Sequence, residues 1–391
     1  MGNVRIDALR EQMKDNNIDV YYLNTSDYHM SEYVPLYFKT IEYFSGFSGS
    51  LATLLVDLES AYIFVDGRYH IQAEKQCLPN DVQVVKLGTA NALEPIEFIK
   101  KNYVGKVIGL DGKRTSINFA SALSDFEIKS IDIYSGLIEN RVPLSTDLVY
   151  ELKVEYTGLS RKKKLDNVKY ILDGKTHIVN NLESISYILN LRGNDILCTP
   201  VFLAYLVFNK NDVYFFINLE RLSEELLDKL YADGIIIRPY DAYYDFLKTL
   251  KNEVVLLDKT KVNYETYSLI CKHNRIVDCL SVIEEMKSMK NDVEIENSKL
   301  AHIYDGVAMV RFLKWLDETD KETLNEYIVA NKLNEFRLSY KAFDLSFNPI
   351  VAYNANAAMM HYAPTKENNS ALHNEGIILV DSGGQYKEGT T

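Results

Sequence analysis

The feature that most constrains this chain is an internal repeat. The stretch from Leu51 to Asp66 (LATLLVDLESAYIFVD) aligns without gaps against Leu203 to Asn218 (LAYLVFNKNDVYFFIN). Each reads as an apolar strand, a polar turn and a returning apolar strand, which is the signature of a hairpin. Upstream of each lies an amphipathic helical pattern, about 4 to 16 and about 159 to 173, and then a short apolar strand, Val20 to Leu23 and His177 to Val179. A unit that occurs twice in the same order sets the architecture before any motif is considered. The expectation is two α/β domains related by duplication, with Pro143 to Asp147 as the linker.

With 391 residues, 47% of them hydrophobic, the chain has material for roughly two or three cores. The formal charge of -12 comes from 55 acidic against 43 basic residues spread along the chain, which argues against nucleic acid as the partner. The one concentrated basic run, Arg161 to Lys164, falls in a helical pattern and is best read as a solvated face. Four cysteines, Cys77, Cys198, Cys271 and Cys279, form no Cys-x-x-Cys pair, so neither a zinc knuckle nor a disulfide framework is expected; a reducing cytoplasm fits them. The N-terminus alternates charge with apolar residues and lacks the apolar core of a signal peptide. Met1-Gly2 is followed by Ile6 where a myristoylation signal prefers Ser or Thr. No segment reaches the roughly 20 apolar residues that span a bilayer, so no membrane partner is expected.

A third unit begins near Lys290. From there Val293, Leu300, Ile303, Val307, Val310 and Leu313 follow steps of mostly three and four, predicting a long helix with one buried stripe, capped by Asn291 or Asp292. A second helix is expected over 322–336, then an extended stretch around 347–351 and a final strand before Asp381. The strands run to the last residue and are too few to close a sheet over two helices. The third unit is therefore expected to be a partial α+β domain.

Two residues of this unit invite a chemical reading. Asp381 ends an apolar strand and leads into Ser-Gly-Gly; such a residue is commonly a turn former that satisfies local backbone donors, and alternatively a metal ligand. Dinuclear hydrolases use bridging carboxylates to hold two cations, which lower the pKa of the water between them; oxygen and imidazole donors suit manganese, cobalt or zinc. His361, in Ala-Met-Met-His-Tyr-Ala-Pro, is either a loop residue or a hydrogen-bond donor to a carbonyl oxygen as charge develops there. His29, His302 and His373 have no comparable context.

Taken together, fragments in all three units resemble the three-domain Xaa-Pro aminopeptidases (aminopeptidase P) of the creatinase, prolidase and methionine aminopeptidase superfamily. In the first unit these are 31–35, 43–50 and 65–69; in the second 156–160, 190–195 and 200–202; in the third 287–291, 301–308, 356–362 and 381–386. The resemblance implies two duplicated creatinase-N-like α/β domains, 1–145 and 146–288, followed by an incomplete α+β pita-bread domain, 289–391. It implies a cytoplasmic metallo-aminopeptidase that removes an N-terminal residue preceding proline, with two divalent metals, manganese above all, and a homodimer as the full-length assembly. Asp381 would be the first metal ligand and His361 the substrate-contacting histidine. The family pattern continues Gly-Thr-Thr-Asp where this sequence ends at Thr391, so the remaining ligands would lie beyond it, and the chain alone is expected to bind no metal pair and to be inactive. Asp66-Gly67-Arg68 reads as a local turn or as a group reaching a neighbouring subunit's site. Two other readings are a non-catalytic peptide- or protein-binding module of the same superfamily, and a creatinase-like amidinohydrolase, against which the duplication weighs.

Overall fold

The computed structural model describes residues 3–391; the Met1-Gly2 start lies outside the described residues. The chain forms two compact units. The first runs through residue 150 and adds 161–196 and 201–287; the second comprises 151–160, 197–200 and 288–391.

The first unit contains the duplication. Helix α1 (Val4–Asp15) leads to strand β1 (Val20–Asn24) and helix α2 (Thr40–Ser45), then to the hairpin β2 (Thr53–Asp57) and β3 (Ala61–Val65), followed by β4 (Gln83–Lys86), β5 (Val107–Leu110), helix α3 (Ile117–Ala122) and β6 (Glu127–Ser130). The second copy repeats this with helix α4 (Arg161–Leu172), strand β7 (Thr176–Val179), helix α5 (Leu182–Leu189), the hairpin β8 (Tyr205–Asn209) and β9 (Asp212–Ile217), then β10 (Ile235–Pro239), β11 (Val254–Leu257), helix α6 (Tyr264–Ile270) and β12 (Arg275–Asp278). The two six-stranded sheets have equivalent orders, β4-β3-β2-β1-β5-β6 and β10-β9-β8-β7-β11-β12. In each the hairpin and its pairing with the first strand are antiparallel, and the remaining pairs are parallel.

The apolar runs of the repeat explain this arrangement. Leu54, Leu55 and Val56 are buried, as are Leu206, Val207 and Phe208 in the same register of the copy. Consecutive burial means that both faces of these central strands are covered, although both neighbours of each are antiparallel. One face of the first sheet packs on α1 through Ile6, Leu9 and Met13, and the other on Ile99, Phe119 and Leu123. The second sheet is likewise filled on both sides. The copies meet at Ser116, which bridges Asn263; these residues cap α3 and α6 through side-chain oxygens that accept from Phe119 and Thr266 amides.

The second unit carries helix α7 (Asp292–Glu318), helix α8 (Glu326–Leu338) and four short strands: β13 (Asp344–Leu345), β14 (Ile350–Tyr353), β15 (Ile378–Asp381) and β16 (Gly384–Gln385). Asn291 caps α7 with a reciprocal bond to Glu294, the capping box. The expected stripe of α7 is overturned. Its buried positions are Ala301, Ala308 and Phe312, whereas Ile303, Val310 and Leu313 are 61%, 67% and 55% exposed. Small residues take most of the buried face, Ala301 packing beside Ala342 and Tyr386, and a pattern that counts only branched aliphatics passes over them. Helix α8 starts four residues later than expected because Asn325 is its cap, accepting from the Ile328 amide. Phe312, Val329, Leu333, Val351 and Leu372 form the core between these helices and the β14–β15 hairpin.

Candidate active site

Asp381 ends β15, which lies antiparallel to β14 with Tyr353 opposite Ile378 and Ile350 opposite Asp381. Along the strand Ile378 and Val380 pack towards the core. Leu379 and Asp381, two residues apart, share the other face and are exposed. The strand then turns through Ser382-Gly383. A Cβ at Gly383 would lie 2.0 Å from the Thr391 carbonyl oxygen and 2.2 Å from Ser346 Oγ; only glycine admits so close an approach of backbone. Beyond it β16 pairs with β13, and the Gln385 side-chain amide donates to the Cys198 carbonyl at 2.9 Å. Tyr386 donates to Asp305 at 3.0 Å, and Arg337, buried beneath, donates to the same carboxylate at 2.6 Å and 3.2 Å. The turn after Asp381 is thus fastened to both helices of its unit.

His361 sits in an exposed turn after the short 3-10 helix Asn354–Ala358. That segment leaves β14 at Tyr353, while Asp381 lies opposite Ile350 at the other end of the hairpin, about 10 Å away along the strand at ~3.4 Å per residue. Among the described residues no group of three or more His, Cys, Asp or Glu side chains is gathered as metal donors. Asp381 alone does not fit a metal pair, which needs several carboxylate or imidazole donors around two cations.

One residue that the sequence did not single out organises this region. Glu326, at the first turn of α8, is fully buried. Its Oε1 accepts from the Tyr353 amide at 2.6 Å and from Asn356 Nδ2 at 3.0 Å. Its Oε2 accepts from the Tyr362 hydroxyl at 2.6 Å and the Ser370 amide at 2.7 Å. Burial, together with this carboxylate, raises the Tyr362 hydroxyl pKa well above its ordinary value, so the phenol stays protonated and donates. In sequence an acidic residue at a helix start reads as a partner of the helix dipole, which hides a side chain that turns inward.

In the first unit Arg68 donates to both oxygens of Asp66, at 2.9 Å and 2.7 Å, a local pair about one-third exposed. An open cleft of about 350 Å³ is lined by Asn3, Arg5, Tyr43 and Asn80 among others; it contains neither His361 nor Asp381. Arg161 and Lys164 are buried, not part of a solvated face: Arg161 pairs with Asp233 at 2.7 Å, and Lys164 donates to the Tyr187 carbonyl at 3.0 Å. The four cysteines are free. No helix among the described residues is long and apolar enough to cross a membrane.

Comparison with known proteins places this geometry. The Creatinase/Prolidase N-terminal domain matches twice, over residues 5–139 and 140–294, and Metallopeptidase family M24 matches 296–391. A Probable Xaa-Pro aminopeptidase P of Paracoccidioides brasiliensis (strain Pb03) is 32% identical over 99% of this chain and 67% of its own length. Xaa-Pro aminopeptidase 1 of Dictyostelium discoideum is 31% identical over 100% of this chain and 67% of its own. An X-prolyl aminopeptidase from Caenorhabditis elegans, described as a cytosolic enzyme with a di-nuclear active site, superposes with a TM-score of 0.89 at 28% identity, covering 96% of this chain and 64% of that one. The chain belongs to the Xaa-Pro aminopeptidase P family of the M24 metallopeptidases, and it spans about two thirds of the length of these relatives. Its fold is the expected one: two creatinase-N-like α/β domains followed by M24 residues.

Proposed function

We propose that the protein to which these residues belong hydrolyses the bond between an N-terminal residue and a following proline, using two divalent metal ions, with manganese as the metal. The observation that carries this reading is identity of 32% sustained along 99% of the chain to a relative with that name, supported by the C. elegans enzyme's di-nuclear site. In this reading Asp381 is the first metal ligand and His361 contacts the substrate carbonyl, donating a hydrogen bond as negative charge develops. The bond cleaved precedes an imide nitrogen without a hydrogen, in a ring that fixes φ near -65°, so a dedicated site is needed where general aminopeptidases lose grip.

The reading divides the chain at 1–145, 146–288 and 289–391, places the protein in the cytoplasm and makes the complete enzyme a homodimer acting on peptides. It also makes these 391 residues inactive alone, because Asp381 lacks co-ligands among them. The test is direct. The purified chain and its Asp381→Ala variant are assayed on an Arg-Pro-Pro peptide in manganese and titrated with the metal by calorimetry; the expected result is no cleavage and no stoichiometric binding by either. Cleavage by the chain that is lost in Asp381→Ala would overturn its inactivity. Asp381→Ala in a metal-loaded enzyme carrying all its ligands is expected to abolish cleavage, and retained activity would remove Asp381 from the site.

A further inference from the structure

We infer that Glu326 is a positioning residue for His361, holding the histidine's segment in place from inside the protein. The inference rests on the reading of His361 as a substrate contact and deepens it.

A fully buried carboxylate is costly, because water must be stripped from a charge. It is retained where hydrogen bonds converge on it. The four groups that donate to Glu326 come from Tyr353, Asn356, Tyr362 and Ser370, and all are neutral. They are spread along one segment, and His361 lies between the second and third of them. Most of that segment is irregular: after the 3-10 turn ending at Ala358 it has no strand or helix up to Ser370. Such loops ordinarily move freely. Here the amide at its start, the side chains on either side of the histidine and the amide at its end all point to a single carboxylate. Helix α8 fixes that carboxylate, and the Glu326 amide itself donates to the Ser370 carbonyl at 3.1 Å. Asn356 also donates to Ser370 Oγ at 2.9 Å, closing the loop on itself.

The geometry demands a carboxylate. All four partners are donors, so the site needs an acceptor at both oxygens. A glutamine would turn an NH2 group towards two of them, and an aspartate would fall one methylene short. A residue that merely filled the core would be aliphatic. What Glu326 adds is a fixed origin for the His361 turn, and a group that meets a reacting carbonyl must be held to within a fraction of an ångström.

The experiment uses the full 391-residue chain with 13C-labelled histidine rings, the His361 resonance being assigned with His361→Gln. Tyr362→Phe removes one hydroxyl and keeps the ring; Glu326→Gln keeps the shape and removes the carboxylate. In both, the His361 ring resonance is expected to move towards that of a mobile histidine. Amide exchange at Tyr353 and Ser370 should quicken by about tenfold in Tyr362→Phe and by more in Glu326→Gln, while the buried His29 and His177 resonances stay in place. If the His361 resonance superposes on that of the wild type in Tyr362→Phe, Glu326 is only a fold stabiliser and the inference is wrong, whatever the variants do to thermal stability. Should Glu326→Gln fail to fold, Tyr362→Phe alone decides. The reading beneath is tested separately: His361→Ala in a metal-loaded enzyme that remains fully active would refute the substrate contact and leave the resonance result standing.

Discussion

The two copies in the first unit share a strand order and differ in the polar groups that pin them. In the first, Arg114 is buried and its guanidinium donates to the carbonyls of Ser26, Asn24 and Phe38, at 2.7 Å, 3.1 Å and 2.8 Å, and to the Thr40 and Tyr134 hydroxyls. At the equivalent place in the second, two residues before the helix cap, stands the half-exposed Lys261. The second copy instead buries Arg221 against Asp195, at 2.6 Å and 2.5 Å, with a further bond to the Asp147 carbonyl at 2.9 Å. A topology can therefore be inherited through its apolar strands while each copy finds its own way to satisfy loop backbone. Burying alternate sets of Leu, Val, Ile and Phe specifies the sheet; the cation specifies which loops lie over it.

Several measurements bear on that contrast. Asp195→Ala strands the buried Arg221 and is expected to destabilise the protein by about 3–5 kcal/mol. Arg114→Ala removes the donor from three carbonyls and should cost about 3 kcal/mol, whereas Lys261→Ala at the matching site should fall within about 0.5 kcal/mol of wild type. Denaturant unfolding compares the three, and equal losses for Arg114→Ala and Lys261→Ala would break the contrast. A pH effect comes next. His29, buried between the Asn180 carbonyl and the Tyr240 hydroxyl at 2.9 Å and 2.8 Å, has its pKa lowered by desolvation, against the opposing pull of Asp27 and the Asn180 carbonyl. With the folded pKa below the unfolded value near 6.5, the unfolded chain binds more protons in the window between them. Stability contributed by the neutral ring is thus complete above pH 6.5 and is lost as pH falls towards the folded pKa. Thermal midpoints should drop on acidification from pH 6.5, and His29→Gln should flatten that part of the profile. Smallest of all, Asp66→Ala at the partly exposed Arg68 pair should cost less than about 1 kcal/mol.

The sequence was most legible where periodicity carried the structure. The hairpins at 53–65 and 205–217 and the helices before them stand out because long apolar runs have few other ways to be buried. The stripe on α7 was misread because small residues, Ala301 and Ala308, take the buried face and Ile303 and Val310 do not. The local setting of Asp381, a strand end before a glycine turn, could be read from its neighbours. Glu326 could not: its partners at 353, 356, 362 and 370 are distant in sequence, and no periodicity links a helix start to an irregular loop. Arg114 and Arg221 were hidden for the same reason, since a cation that serves scattered carbonyls leaves no local pattern.

The bridge between Ser116 and Asn263 joins equivalent points of the two copies, as an isologous contact joins two identical subunits. A symmetric dimer of separate chains must meet by diffusion. Here the segment around Pro143 to Asp147 acts as a tether that keeps each copy at an effective concentration on the order of millimolar around the other. The seam can thus stay closed on a lower intrinsic affinity than two free molecules would need to stay together.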